Sequence, residues 1–174
     1  YAAKEIEDFI KELGRKIPEY IYSTEEKPVE KVLGALLRKK AKTLAGAESC
    51  TGGMIAGRIT SVPGASEYFK GSVVAYSNEA KQNILKVQKQ SLEIQGAVSR
   101  AVVEEMAAGA SALYGADYAY AVSGVAGPGG GTDEKPVGTV WIAVYGKGET
   151  RTEKFQFGND RMVNMQRTVA TALH

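Results

Sequence analysis

From Thr43 onward, short apolar runs alternate with stretches of helical periodicity, and this alternation limits the fold more than any other feature of the chain. "TLAGA" reads as a buried strand, Thr51 to Thr60 as a helix, "GSVVAYS" as a second strand and Asn78 to Val87 as a second helix. Ser99 is placed to cap a long helix through Tyr114, with Gly115 at its end, and "ADYAYAVS" follows as a strand. Beyond the loop Gly124 to Pro136, "GTVWIAVYG" and "TRTEKFQF" read as a hairpin across Lys147 to Glu149, and Asp160 is placed to cap a last helix. Helical crossovers join parallel strands and a tight hairpin joins antiparallel ones. The expected fold is therefore α/β, a three-layer α/β/α sandwich with a mixed, mostly parallel sheet.

The first residues follow a different pattern. Ile6, Phe9, Ile10, Leu13 and Ile17 recur at helical spacing, so Ala3 to Lys16 reads as an amphipathic helix that Pro18 breaks. "EYIYS" then reads as a short strand, and Pro28 opens a helix whose apolar face is Val29, Val32, Leu33, Leu36 and Leu37. At 174 residues there is room for one ordinary domain and a small extra piece. Residues 1–24 are read as that piece, the tail of a preceding module or a linker, and residues 25–174 as the domain. Tyr1 in place of a methionine is what a chain beginning inside a longer protein would show.

A net charge of +2 argues against a dedicated nucleic-acid binder, which carries a larger basic excess. The basic run Arg38, Lys39, Lys40 and Lys42 reads as the solvated, dipole-favoured end of a helix. No stretch approaches the roughly 18 apolar residues of a membrane span. The single cysteine and the absence of a secretory pattern point to a reducing, cytoplasmic setting.

Histidine narrows the chemistry. The only one is the terminal His174, which argues against Ser-His-Asp and Cys-His mechanisms and against a His/Cys metal site. In open α/β sheets ligands bind beyond the carboxyl ends of the strands, and there lie "ESCTGG", "NEAK" and "GVAGPGGGTDEKP". Ser49 is either an N-cap or a nucleophile beside an amide-lined turn. Its neighbour Cys50 is a better intrinsic nucleophile, but an isolated cysteine is commonly buried and inert. With Asn78 as cap, Lys81 falls in the first turn of a helix, where the dipole opposes a cation. That misfit suits a neutral general base; the alternative is a lysine whose stem carries its charge to water. Tyr76 is either a partner of Lys81 or Ser49 or a core aromatic, and Glu48 and Glu79 are alternative partners of Lys81. The "GVAGPGGGT" loop offers unhindered amides to a phosphate, yet lacks the GK[ST] of a P-loop. Arg161, again a cation at a helix start, either holds an anion or reaches solvent.

Taken together, "AESCTGG", "VAYSNEAK", "GAVS", "SGVAGPGGGTDEKPVGTVWIAV", "GNDR" and "ATAL" resemble the C-terminal domain family of the competence-damage-inducible protein CinA, which includes stand-alone nicotinamide mononucleotide deamidases. The resemblance runs from about Val29 to the C-terminus, and Lys4 to Thr24 is similar to the end of the CinA middle domain. It implies an amidohydrolase that converts nicotinamide mononucleotide to nicotinic acid mononucleotide and ammonia without metal or cofactor. The family's catalytic serine falls on Ser49, its lysine on Lys81 and its tyrosine on Tyr76. The substrate-binding positions implied are Thr51, Gly52, Gly53, Asn78, Ser123, Gly127, Gly129, Gly130, Gly131, Thr132 and Arg161, with Asn159 intervening before the last in "GNDR". A homodimer, fused to N-terminal CinA domains in the full-length protein, is also implied. The competing expectation is a catalytically idle nucleotide-binding or partner-binding domain.

Overall fold

The computed structural model describes residues 2–17 and 21–174. Helix α1 (Ala2–Lys16) leads to α2 (Val29–Lys39), followed by β1 (Leu44–Glu48), α3 (Met54–Thr60), a single 3-10 turn, β2 (Phe69–Val74), α4 (Asn78–Asn83), α5 (Lys89–Gln95), α6 (Arg100–Tyr114), β3 (Tyr118–Gly124), β4 (Thr139–Gly146), β5 (Glu149–Gln156) and α7 (Arg161–Leu173). The five strands form one sheet in the order β2-β1-β3-β4-β5. The pairs β1–β2 and β1–β3 are parallel, while β3–β4 and β4–β5 are antiparallel. The parallel half carries the crossovers and the antiparallel half the hairpin, as the alternation of elements requires.

Alternation along the strands sorts the two faces. Ala45 and Ala47 of β1, Ala119 and Ala121 of β3 and Ala143 of β4 pack against Val102, Val103, Met106, Ala107 and Ala110 of α6. These small strand residues let α6 lie close to the sheet. Tyr120 and Val122 of β3 and Val140 and Ile142 of β4 point the other way, onto Leu37 of α2, Ile55 and Ile59 of α3, and Val169 and Leu173 of α7. The result is a three-layer α/β/α sandwich with a mixed sheet, its inner strand β1 buried throughout.

Several boundaries differ from the sequence reading, each for a local reason. Helix α3 begins only at Met54, because Ser49 to Gly53 forms a turn in which Gly53 has φ 98°. Ser77, not Asn78, caps α4: its hydroxyl accepts from the Ala80 amide, so Asn78 is the first helical residue. The helix expected to reach Val87 stops at Asn83, and Lys86 has φ 60°. A separate helix, α5, follows, its start tied to α6 by the Gln88 amide donating to Glu105. The caps expected from Ser99 and Asp160, and Gly115 at the end of α6, are present. Lys147 and Gly148, with φ 55° and 81°, make the two-residue hairpin turn.

The basic run is not uniformly solvated. Lys42 pairs with Asp117 at 2.7 Å, and Arg38 lies 5.5 Å from the Tyr68 ring centroid, with Glu67 at 3.5 Å. Pro18 and the first two residues of the expected "EYIYS" strand lie outside the described residues; Ile21 to Ser23 form no strand. Among the described residues, no helix is long and apolar enough to cross a membrane.

Candidate active site

The carboxyl ends of β1, β2 and β3 deliver three segments to one cleft of about 190 Å³. Its floor is a serine–lysine pair. Ser49, the first residue after β1, lies 3.1 Å from Nζ of Lys81 on α4, across 32 residues of sequence. Lys81 is only 1% exposed, and its other contacts are the carbonyls of Ala75 at 2.8 Å and Tyr76 at 3.4 Å. Neither Glu48 nor Glu79 pairs with it. Burial without a carboxylate penalises the ammonium, so the Lys81 pKa is lowered. Nζ donates to the Ser49 hydroxyl and to both carbonyls; once the amine loses a proton, its two remaining N–H bonds serve the carbonyls and its lone pair is left for the Ser49 hydroxyl.

Cys50 also lines the cleft but is chemically quiet, because burial pushes its pKa up to about 12 and a thiol is a poor nucleophile until ionised. The turn that carries Ser49 and Cys50 is held from below by Glu48, whose carboxylate is wholly buried. Its Oε2 accepts from Thr51 Oγ1 at 2.7 Å and from the amides of Gly53 and Ile55; its Oε1 accepts from the Ala56 amide at 2.8 Å and from the Tyr120 hydroxyl at 3.0 Å. Sequence reasoning placed Glu48 only as a partner for Lys81. A carboxylate six residues before Met54, the first residue of a short helix, was the available signal for a helix-end ligand.

At the mouth of the cleft, Arg161 donates to the Gly127 carbonyl at 2.9 Å and to the Tyr76 hydroxyl at 3.2 Å. Tyr76 is 63% exposed, so it is not core. Its hydroxyl meets Arg161, whereas its contact with Lys81 is through its carbonyl. No acidic side chain lines the cleft, and its wall is completed by Asn78, Ala97, Val98, Ser123, Gly124 and Ala126. The Ser123 hydroxyl donates to the Ala97 carbonyl at 2.8 Å and so pins the Gly96 to Val98 segment in place.

The structure thus brings Ser49, Tyr76, Asn78, Lys81, Ser123 and Arg161 together. It leaves the other sequence-derived positions out of the lining. Thr51 is fully buried against Glu48, and the Gly53 amide is taken by the same carboxylate. Gly52 is exposed on the turn, its amide donating to the Ser49 carbonyl. Gly127 reaches the cleft only as an acceptor for Arg161, and Gly129, Gly130, Gly131 and Thr132 lie exposed on the outer part of their loop. Among the described residues, no cluster of three or more His, Cys, Asp or Glu is arranged to hold a metal ion.

A three-layer α/β protein with a buried serine–lysine pair at the switch between parallel strands is the class that fold and cleft define. The chain belongs to the CinA family: residues 26–174 match the CinA C-terminal domain. It is 45% identical over 168 residues to a CinA-like protein of Thermotoga maritima, covering 97% of this chain and 41% of the relative. The chain therefore spans about two fifths of the length of the curated relatives it matches. Two solved structures are similar: a competence-damaged protein (CinA) superfamily protein from Escherichia coli, at 34% identity and TM-score 0.80, covering 91% of this chain and 95% of that one, and the competence/damage inducible protein CihA from Agrobacterium tumefaciens, at 36% identity and TM-score 0.78, covering 87% and 95%.

Proposed function

We propose that the chain is an amidohydrolase of the Ser/Lys type that acts on nicotinamide mononucleotide. The observation that carries this reading is the 3.1 Å contact between Ser49 and a buried lysine with no carboxylate partner. Lys81 takes the Ser49 proton as Oγ attacks the carboxamide carbon. In the turn, the Gly52 amide is engaged by the Ser49 carbonyl and the Gly53 amide by Glu48; of the two amides that remain, those of Cys50 and Thr51, only Cys50 belongs to the cleft lining, and its amide donates to the oxyanion. One such donor is worth on the order of 3 kcal/mol in the transition state. Collapse breaks the C–N bond, and protonated Lys81 returns its proton to the departing ammonia. Water then attacks the Ser49 ester, again with Lys81 as base, and releases the carboxylic acid and the free serine.

A cleft without acidic lining and with Arg161 at its mouth suits an anionic substrate. Arg161 is bound there only by neutral acceptors, a carbonyl and a phenol, which a phosphate would displace favourably. Tyr76 positions that guanidinium. Residues 1–24 belong on this reading to the module that precedes the domain in longer relatives. A homodimer working in the pyridine nucleotide cycle of the cytoplasm completes the proposal, and one buried, unpaired cysteine is consistent with that compartment.

Ammonia release from nicotinamide mononucleotide tests the reading. Wild type and Cys50→Ala should turn over, whereas Ser49→Ala and Lys81→Met should each lose at least about 10³-fold in kcat. Nucleotide binding by wild type without any ammonia release would favour an idle, nucleotide-sensing domain instead.

A further inference from the structure

Among the described residues, Glu48 is the one wholly buried carboxylate that the chemistry above does not use, and its bonds run to both halves of the dyad. On the side-chain side it collects five donors: Thr51 Oγ1, the amides of Gly53, Ile55 and Ala56, and the Tyr120 hydroxyl. Two of these lie in the turn that begins with Ser49, two open α3, and one rises from β3. On the backbone side, the Glu48 carbonyl accepts from the Ala75 amide at 2.8 Å, and the Ala75 carbonyl in turn accepts from Lys81 Nζ at 2.8 Å. The nucleophile is attached to Glu48 by a peptide bond, and the base is attached to it through a single intervening residue.

We propose that Glu48 is a positioning residue for the acyl-transfer step, its carboxylate holding the Ser49–Cys50 turn against the connection between β2 and α4 whose carbonyls hold Lys81. The proposal rests on the Ser/Lys reading. A glutamine cannot fill the role. Three of the five donors are backbone N–H groups that cannot reverse their polarity. A glutamine amide placed here must turn its own NH2 toward Ala56 in one orientation, or toward Gly53 and Ile55 in the other. Either way a buried donor faces a donor, and the turn shifts to relieve it. This set of donors also explains why β1 ends in an acid pointing into the core. The positive end of α3 is met by the protein's own carboxylate, which withdraws those amides from any substrate phosphate.

The test uses Glu48→Gln and Thr51→Val in the full chain, with two readouts per folded molecule. One is kcat and KM for nicotinamide mononucleotide; the other is the rate at which a fluorophosphonate, a serine-directed phosphonylating reagent, labels Ser49. Misplacement of a nucleophile by about 1 Å costs on the order of 100-fold, so Glu48→Gln should lose about that factor in kcat and in labelling, with KM changed less than about threefold. Thr51→Val, which removes one of the five donors, should lose about tenfold in both. The pH at which labelling rises should stay that of wild type, since the acceptors around Lys81 are untouched. Folded Glu48→Gln with kcat and labelling within about twofold of wild type overturns the proposal. So does Thr51→Val with unchanged rates, should the glutamine variant fail to fold. A wild type that labels at Ser49 but hydrolyses no nucleotide sinks the amidohydrolase reading alone, and the labelling ratio still decides the role of Glu48.

Discussion

Ser49 and Cys50 are neighbours in one turn with opposite fates, and the difference lies in what surrounds each polar atom. The Ser49 oxygen meets an amine deprived of water; the Cys50 sulfur meets a setting that raises its pKa to about 12, so almost none of it is thiolate near neutrality. Alkylation of Cys50 by iodoacetamide should accordingly be slow at neutral pH. Lys81 is a base only when neutral, and burial lowers the pKa at which it becomes so. The profile of kcat/KM against pH should therefore rise through an apparent pKa below the ordinary lysine value of 10.5 and then level off. A rising limb at or above that value, or one in the carboxylate range, would contradict Lys81 as the base.

Among the elements, α6 carries the tightest packing constraint near the site. Gly109 faces the backbone of Leu85 at the end of the α4 segment, where a Cβ would fall within contact distance of the Leu85 carbonyl oxygen. Alanine in place of glycine gains about 1 kcal/mol in helix propensity. Overpacking costs about 1–3 kcal/mol, and more where the obstacle is backbone and cannot rotate away. The steric cost should win, so Gly109→Ala is expected to lower the melting temperature by several degrees, read by thermal denaturation. A variant that melts higher would show that the Leu85 segment gives way freely. Because that segment continues from the helix bearing Lys81, a shift there should also lower kcat.

For the molecule as a whole, the dyad is a source of instability that depends on pH. The folded-state pKa of Lys81 is depressed, so between it and the unfolded value the unfolded chain binds more proton than the folded one. The destabilisation is complete below the folded pKa and is relieved as pH rises toward the unfolded value of 10.5. Lys81→Met has no proton to bind. The melting temperature of wild type relative to Lys81→Met should thus climb as pH is raised from about neutral toward 10, and a constant difference would mean that burial does not oppose the charge. Much of the framework behind these effects was legible in the chain: strands alternating with helices, the caps Ser99 and Asp160, and the hairpin at Lys147 and Gly148 all follow from local periodicity and dihedral preference. The break at Lys86 was not, because a left-handed residue other than glycine has no sequence signature and the start of α5 is bonded to distant Glu105. The same division runs through the site. By itself the sequence determined the element order, the absence of an internal histidine and the placement of Ser49 and Lys81 beyond strand ends. Only the tertiary structure decided that Glu48 turns to α3 and Tyr120 instead of to Lys81, that Thr51 turns inward, and that the Tyr76 hydroxyl meets Arg161. The physical reason is that a polar group takes whichever partners the packed layers bring within hydrogen-bond reach, and those partners lie from 3 to 85 residues away along the chain.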